Sequence, residues 1–240
     1  MNRFTRPIKP IAKNPLTVII LAAGDGRRIN TYGPRQLWPY PHTKVPIIEQ
    51  QIVISQEFTN YSVETIVVVG YSKEKIYEKL THLNNVRFVE NNNWENTGPV
   101  ESLRLGLLAA KNNPVLVMYN DIIFSKSLFN DVHDDKSTVF VDQHNLFGAE
   151  EIGVKSQNGR VVSLRYDWPT KWTGITLCRD KELSLLRKHC NELTNRRKNV
   201  GELLNDLIDD GANFTERVTK DKIYEIDSYK EYTNAMKVII

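Results

Sequence analysis

The run Leu16-Thr17-Val18-Ile19-Ile20 passes without a break into Leu21-Ala22-Ala23-Gly24-Asp25-Gly26-Arg27-Arg28. An unbroken apolar run of this length reads as a β-strand covered on both faces, which calls for helices on both sides of a sheet. The loop that follows is built for phosphate. Its glycines let backbone N–H groups approach phosphate oxygens, and its arginines supply a fixed fork of donors. The spacing is not that of a P-loop, because no Gly-Lys-Ser/Thr closes it. Nor is it the dinucleotide fingerprint, because Gly24 and Gly26 lack a third glycine three residues on. A Gly-x-Gly pair alone is also compatible with a plain turn.

The rest of the chain alternates in the same way. Strands are predicted near 16–22, 63–69, 85–90, 114–120 and 137–142, and helices near 44–59, 72–82, 99–112 and 126–133. This is the pattern of βαβ units around a largely parallel sheet. The pattern then changes. Residues 151–155 and 160–164 flank Asn158-Gly159, a dipeptide that accepts the positive φ angles of a tight hairpin. A strand near 172–177, helices near 180–193 and 199–210, a strand near 222–226 and a helix from 228 complete the chain. No repeat or linker divides it, so 16–240 reads as one domain. Residues 1–15 read as a flexible arm available for contacts in a homodimer.

The charge balance excludes some partners. Among 240 residues, 32 Lys and Arg face 29 Asp and Glu, a net charge of +3. The one dense basic stretch, Asn195-Arg196-Arg197-Lys198, reads as a solvated loop between two helices, which argues against nucleic acid as a partner. Cys178 and Cys190 lie twelve apart with no histidine at ligand spacing, so neither a disulfide framework nor a zinc site is expected and a reducing cytoplasm fits. No segment has the length of a membrane span, and residues 1–15 lack the apolar core of a secretory signal.

Three pieces occur in order: LAAGDGRR (21–28), PRQL (34–37) and KVPII (44–48). Together they resemble the signature of nucleotidyltransferases, which condense a nucleoside triphosphate with a phosphorylated acceptor. The resemblance leans to small-molecule cytidylyltransferases of the phosphocholine cytidylyltransferase type. It implies an α/β, Rossmann-like fold of the glycosyltransferase-A type: three α/β/α layers around a mixed, mostly parallel sheet. It also implies that Leu21, Ala22, Ala23, Gly24, Asp25 and Gly26 surround the nucleotide. Arg28 and Arg35 would neutralise the triphosphate where charge develops on the leaving pyrophosphate. Arg35 stands where the family usually has lysine. Its charge is kept but its fork is bulkier, and Lys44 is a candidate to share the load.

Other residues follow from strand ends and from the same resemblance. Asp121, in Tyr119-Asn120-Asp121 at the tip of an apolar strand, is well placed to hold Mg²⁺; the plainer reading is an Asx turn. Tyr224-Glu225-Ile226-Asp227-Ser228 resembles the family's closing Glu-Ile-Asp-Thr motif, which makes Asp227 a second metal ligand. Asp227 or Ser228 as a simple helix cap is the other reading. The stretch Gly98 to Leu107 looks like the element that contacts the pyrimidine in cytidylyltransferases, with Gly98 and Ser102 at the base. A plain helix start is an equal alternative. On the acceptor side the resemblance points to Glu151, Lys171 and Trp172. Trp168 and Trp172 are candidates for an aromatic box around a quaternary amine, although core packing is the commoner fate of such tryptophans.

The expectation is a cytoplasmic, Mg²⁺-dependent transferase joining CTP to a small phosphorylated or phosphonate acceptor, for surface-polysaccharide or lipid decoration. A sugar-1-phosphate nucleotidyltransferase using UTP, GTP or dTTP is the alternative, as is a nucleotide-binding domain without turnover.

Overall fold

The opening apolar run forms β1 (Asn14–Ala22), and its side chains alternate between two cores. Ile19 and Leu21 enter one; Leu16, Val18, Ile20 and Ala22 enter the other. In a strand successive side chains point to opposite faces, so an unbroken apolar run is stable only where both faces are covered. The computed structural model describes residues 14–26, 33–58, 61–129, 135–144, 151–166, 168 and 170–238.

After β1 come α1 (Ile47–Gln56), β2 (Tyr61–Val69), α2 (Lys73–Leu80), β3 (Val86–Glu90), α3 (Pro99–Ala109) and β4 (Val115–Tyr119). Strands β1, β2, β3 and β4 pair in parallel in the order β3-β2-β1-β4. The chain continues through β5 (Ile122–Ile123), β6 (Thr138–Asp142), β7 (Ile152–Gln157), β8 (Arg160–Tyr166) and β9 (Thr170–Cys178). It ends with α4 (Asp180–Asn191), α5 (Val200–Asp209), β10 (Thr215–Val218), β11 (Tyr224–Glu225) and α6 (Tyr229–Val238). Among the described residues the main sheet has nine strands, and β5 with β11 forms a separate two-stranded piece.

The layers follow from which helix faces are apolar. Ile48 and Ile52 of α1 and Ile76 and Leu80 of α2 pack on one face of the sheet. Val100, Leu103 and Leu107 of α3, Leu186 of α4 and Leu203 and Leu207 of α5 pack on the other. A small third core gathers Trp38, Ile47, Ile123, Ile226 and Ala235 beneath α6.

The sheet is mixed, as expected, with a larger antiparallel share than the βαβ pattern alone suggests: β9 runs antiparallel to β4, β6 and β7, and β7 to β8. Strands β7 and β8 follow one another through a short connection, which can join only antiparallel neighbours. Asn158 and Gly159 make that connection, with φ of 52° and 75°. The strand β10, Thr-Glu-Arg-Val, has no apolar run to announce it.

Local boundaries also shifted for physical reasons. The first helix begins at Ile47 rather than 44, because Pro46 disfavours helical geometry in Val45. The helix predicted over 126–133 is a 3-10 turn at Lys126–Phe129, with 130–134 outside the described residues. The predicted arm 1–15 lies outside them up to 13, and Asn14 and Pro15 already belong to β1. The basic tetrad is not a solvated loop. Leu193–Arg197 forms a 3-10 turn with Asn195 buried, docked on the start of α3. Cys178 and Cys190 are both buried and free. Among the described residues no helix is long and apolar enough to cross a membrane.

Candidate active site

Strand order reverses between β1 and β4, since the sequential crossovers run outward through β2 and β3 and then jump back. In open α/β sheets ligands bind at the carboxyl ends of the strands at such a switch point. Here the two ends carry Ala23-Gly24 and Tyr119-Asn120-Asp121, side by side because Leu21 pairs with Tyr119. A pocket opens over them, lined by Leu21, Ala23, Gly24, Arg35, Ser102 and Asp121 together with Gly98, Asn91 and Trp94.

The floor of the pocket is braced by side chains that the sequence analysis did not single out. Gln51 of α1 is buried and donates Nε2 to the carbonyls of Tyr119 (3.1 Å) and Ile122 (2.8 Å), holding the turn that carries Asp121. Asn91 is buried at the end of β3 and donates Nδ2 to Thr97 Oγ1 and Ser102 Oγ, both at 3.1 Å. An isolated Gln or Asn has no periodicity or motif to reveal it; only the carbonyls that it meets give it a role.

The start of α3 differs from a simple anion site. Gly98 N–H donates to Arg196 O (2.8 Å) and Val100 N–H to Lys198 O (3.3 Å), while Pro99 has no N–H. The docked 3-10 turn therefore takes donors that a phosphate would need. What α3 offers the pocket is the apolar ring of Pro99 and the Ser102 hydroxyl, a surface suited to a base rather than to phosphate.

The acidic end is assembled by a long-range pairing. β11 pairs antiparallel with β5, Glu225 opposite Ile122, and Ile226 N–H donates to Asp121 O (2.8 Å). Asp121, Glu225 and Asp227 are thereby brought together, with one carboxylate oxygen from each within 4.8 Å of the others. Arg35 lies across the group. Its Nη2 meets Asp121 Oδ2 at 2.5 Å, and its Nη1 meets Asp227 Oδ1 at 2.6 Å and Ile226 O at 3.0 Å. Lys171 bridges Glu151 (2.5 Å) and Glu225 (2.8 Å) beside them.

Burial governs the electrostatics. It pushes the Asp121 carboxyl above its ordinary range; Arg35 opposes this and Asp227 adds to it. Burial likewise raises Glu225, helped by Asp121 and countered by Lys171. Burial disfavours the charge of Arg35 itself, but Asp121 and Asp227 outweigh it and the guanidinium stays firmly charged. Asp121 Oδ1 is buried and accepts no hydrogen bond from the described residues. A buried carboxylate oxygen without a donor is costly, and a hard divalent cation is the group that satisfies it. The all-oxygen donor set of the three carboxylates fits Mg²⁺ on the same chemistry.

Not every expected residue arrives at the pocket. Ala22 is fully buried in β1, and Asp25 and Gly26 lie just outside the lining. Lys44 is exposed in the turn before Pro46 and does not line the pocket. Arg28 lies outside the described residues. The aromatic box does not form. Trp172 is buried in the core, edge-on to Tyr119, with its Nε1–H donated to Ile175 O. The ring of Trp168 is taken by the chain's own Lys155, 4.7 Å away. Trp172 packs inward because its apolar area is worth more inside, while Trp168 stays half-buried in the connection between β8 and β9.

Gly24 separates backbone need from ligand need. Among the described residues a Cβ placed there meets nothing within 4 Å, and its φ is not in the left-handed region. Gly24→Ala is therefore expected to leave the melting temperature unchanged, while weakening nucleotide binding by about tenfold because the methyl group stands where phosphate must approach. Unchanged nucleotide affinity, measured by calorimetric titration, would remove Gly24 from the phosphate loop.

The family profile of the MobA-like NTP transferase domain matches residues 18–146. The chain belongs to the MobA-like NTP transferase domain family. It is thus placed among the nucleotidyltransferases. The NTP transferase chain is also 25% identical, over 229 residues, to the bifunctional protein GlmU of Methanococcus vannielii. That match covers 94% of this chain and 48% of the relative, so the chain spans about half the length of the curated relative it matches. Among solved structures it is similar to a CTP:phosphocholine cytidylyltransferase from Streptococcus pneumoniae, with a TM-score of 0.79 at 22% identity, covering 93% of this chain and 99% of that one. It is also similar to an inositol-1-phosphate CTP transferase from T. maritima, with a TM-score of 0.73 at 19% identity, over 95% and 97% of the two chains. A third is a putative glucose-1-phosphate thymidylyltransferase from Bacillus anthracis, with a TM-score of 0.76 at 14% identity, over 93% and 94%. These likenesses establish the α/β fold with a mixed sheet.

Proposed function

We propose that this NTP transferase domain joins CTP to a small phosphorylated or phosphonate acceptor with release of pyrophosphate. An acceptor oxygen attacks the α-phosphorus, the bond from that phosphorus to the α–β bridging oxygen breaks, and its electrons leave with pyrophosphate. The observation that carries the reading is the convergence of Gly24, Ser102, Arg35 and Asp121 on one pocket at the switch point.

The roles follow from position. The Ala23-Gly24 backbone takes the phosphates. Ser102 is held by Asn91, which leaves the hydroxyl hydrogen to donate to a pyrimidine carbonyl. Asp121 and Asp227, with Glu225, would hold Mg²⁺. The cation would supply charge neutralisation of the α-phosphate and the leaving pyrophosphate. Arg35 supplies a second positive charge on the same side of the pocket, and Lys171 lies ready beside Glu225 on the acceptor side. No general base is needed, since the acceptor phosphate is already an anion, and catalysis is positioning plus electrostatic stabilisation. Two of the structural neighbours are named for CTP and all three for phosphorylated small acceptors, which supports both halves of the proposal. Residues 16–240 act as a single catalytic unit on this reading.

Pyrophosphate release measured with CTP, UTP, GTP, ATP and dTTP, each against phosphocholine, inositol 1-phosphate and glucose 1-phosphate, tests it. CTP with Mg²⁺ is expected to give the fastest turnover and to raise the melting temperature by roughly 5–10 °C at about 100 times its dissociation constant. Turnover with dTTP or UTP and a sugar phosphate instead would reassign the donor. Absence of both turnover and thermal shift with every nucleotide would overturn the transferase reading.

A further inference from the structure

We infer that Arg35 is a built-in counter-ion of the cation site, and that divalent cation and the Arg35 guanidinium compete for Asp121 and Asp227. The inference rests on the proposed metal role of these carboxylates and goes beyond it. It makes Arg35 a positioning residue whose place is set by whether the cation is bound.

Arg35 spans the two carboxylates with one nitrogen each, at 2.5 and 2.6 Å, in the fork geometry that a lysine cannot reproduce. The bridging nitrogens occupy the carboxylate oxygens Asp121 Oδ2 and Asp227 Oδ1, while Asp121 Oδ1 is buried with no hydrogen-bond donor among the described residues. Arginine therefore satisfies only part of the acidic group. A cation that takes a buried carboxylate oxygen at about 2.0–2.1 Å neutralises the whole cluster more completely than one shared guanidinium.

Among the described residues, Arg35 bridges Asp121 and Asp227, and Lys171 bridges Glu151 and Glu225. With the cation in place, charge repulsion and competition for the same two carboxylates drive the guanidinium off them. Arg35 already lines the pocket, so the released fork faces the space in which a triphosphate would lie. Loading the cation thus frees an arginine for the anion that follows. Before loading, Arg35 keeps three mutually repelling carboxylates from opening the site.

The test is Mn²⁺ binding to the full chain without nucleotide, read by the loss of the free-Mn²⁺ EPR signal, in wild type, Arg35→Gln, Arg35→Lys and Asp121→Asn. Arg35→Gln is expected to bind Mn²⁺ about tenfold more tightly than wild type, and Arg35→Lys, which keeps the charge but loses the double bridge, to fall between. In chelator, Arg35→Gln should melt below wild type, and Mn²⁺ should restore it. Equal or weaker Mn²⁺ binding by Arg35→Gln and Arg35→Lys, with Asp121→Asn abolishing it, would leave the cation site standing and overturn the competition. Should Arg35→Gln fail to fold, Arg35→Lys alone decides. No Mn²⁺ binding by any of the proteins would remove the cation site, and the competition with it, whatever pyrophosphate assay results are obtained.

Discussion

Asp121→Asn is expected to lower pyrophosphate release by about 10²–10³-fold or more, without unfolding the protein. The carboxylate sits where β4 ends, its turn held by Gln51 and by Ile226 N–H, so an amide of the same shape keeps the hydrogen bonds of the backbone. What it loses is the charge that would hold a cation. Stability should move the other way. Burial raises Asp121 above its ordinary range in the native state, even against the pull of Arg35. An acid raised on folding contributes most to stability at low pH, below its unfolded value, and that contribution is lost as pH rises through its native value. At neutral pH, in chelator, the wild type therefore carries a buried charge that the variant lacks. Asp121→Asn should melt no lower than wild type at pH 7, and the two should converge as the pH falls towards 4. Calorimetry over that range checks the sign. Full turnover by the variant, or a melting temperature well below wild type at pH 7, would remove Asp121 from the centre of the site.

Gly98→Ala is expected to damage the fold and the pocket together. A Cβ at Gly98 would stand 2.5 Å from Arg197 O and 2.8 Å from Lys198 O, and both are backbone atoms that no side-chain rotation can move away. The 3-10 turn would have to retreat from α3, breaking the bonds from Gly98 N–H and Val100 N–H. Overpacking of this kind costs about 1–3 kcal/mol, and in a chain of this length the melting temperature should fall by roughly 2–10 °C. Because Gly98, Pro99 and Ser102 line the pocket, nucleotide affinity should fall in the same variant. Gly24→Ala, with open space around its Cβ, is the matched contrast: affinity falls and stability does not. If Gly98→Ala behaves like wild type in both melting and nucleotide titration, the docking of the basic turn does not shape this pocket.

The two glycines show what a sequence can carry. Gly24 stands in a run, Leu21 to Arg28, whose order of residue types already implies close backbone approach to phosphate. The reason for Gly98 lies nearly a hundred residues away, in the carbonyls of Arg197 and Lys198, and nothing local announces it. The same division holds for the acidic group. Asp121 and Asp227 each stood out as a candidate, one at the tip of an apolar strand and one in a closing motif, and each had a plain alternative as a turn or cap residue. Glu225 stood in the same motif without a role until β11 paired with β5 and set it beside Asp121.

Sequence by itself determined the layered α/β plan, because an apolar run such as Leu16 to Ile20 has no stable place except in a sheet covered on both faces, and because helix and strand periodicities are local properties. It also marked Leu21 to Arg28 as a candidate phosphate loop, because that expectation rests on consecutive residues. Tertiary structure alone decided which charges meet. Arg35 between Asp121 and Asp227, and Lys171 between Glu151 and Glu225, join residues separated by up to 192 positions, and their pairing depends on the order in which strands enter the sheet. Tertiary structure also sent Trp172 inward. A side chain's partners in space are set by packing, and packing is a property of the whole chain.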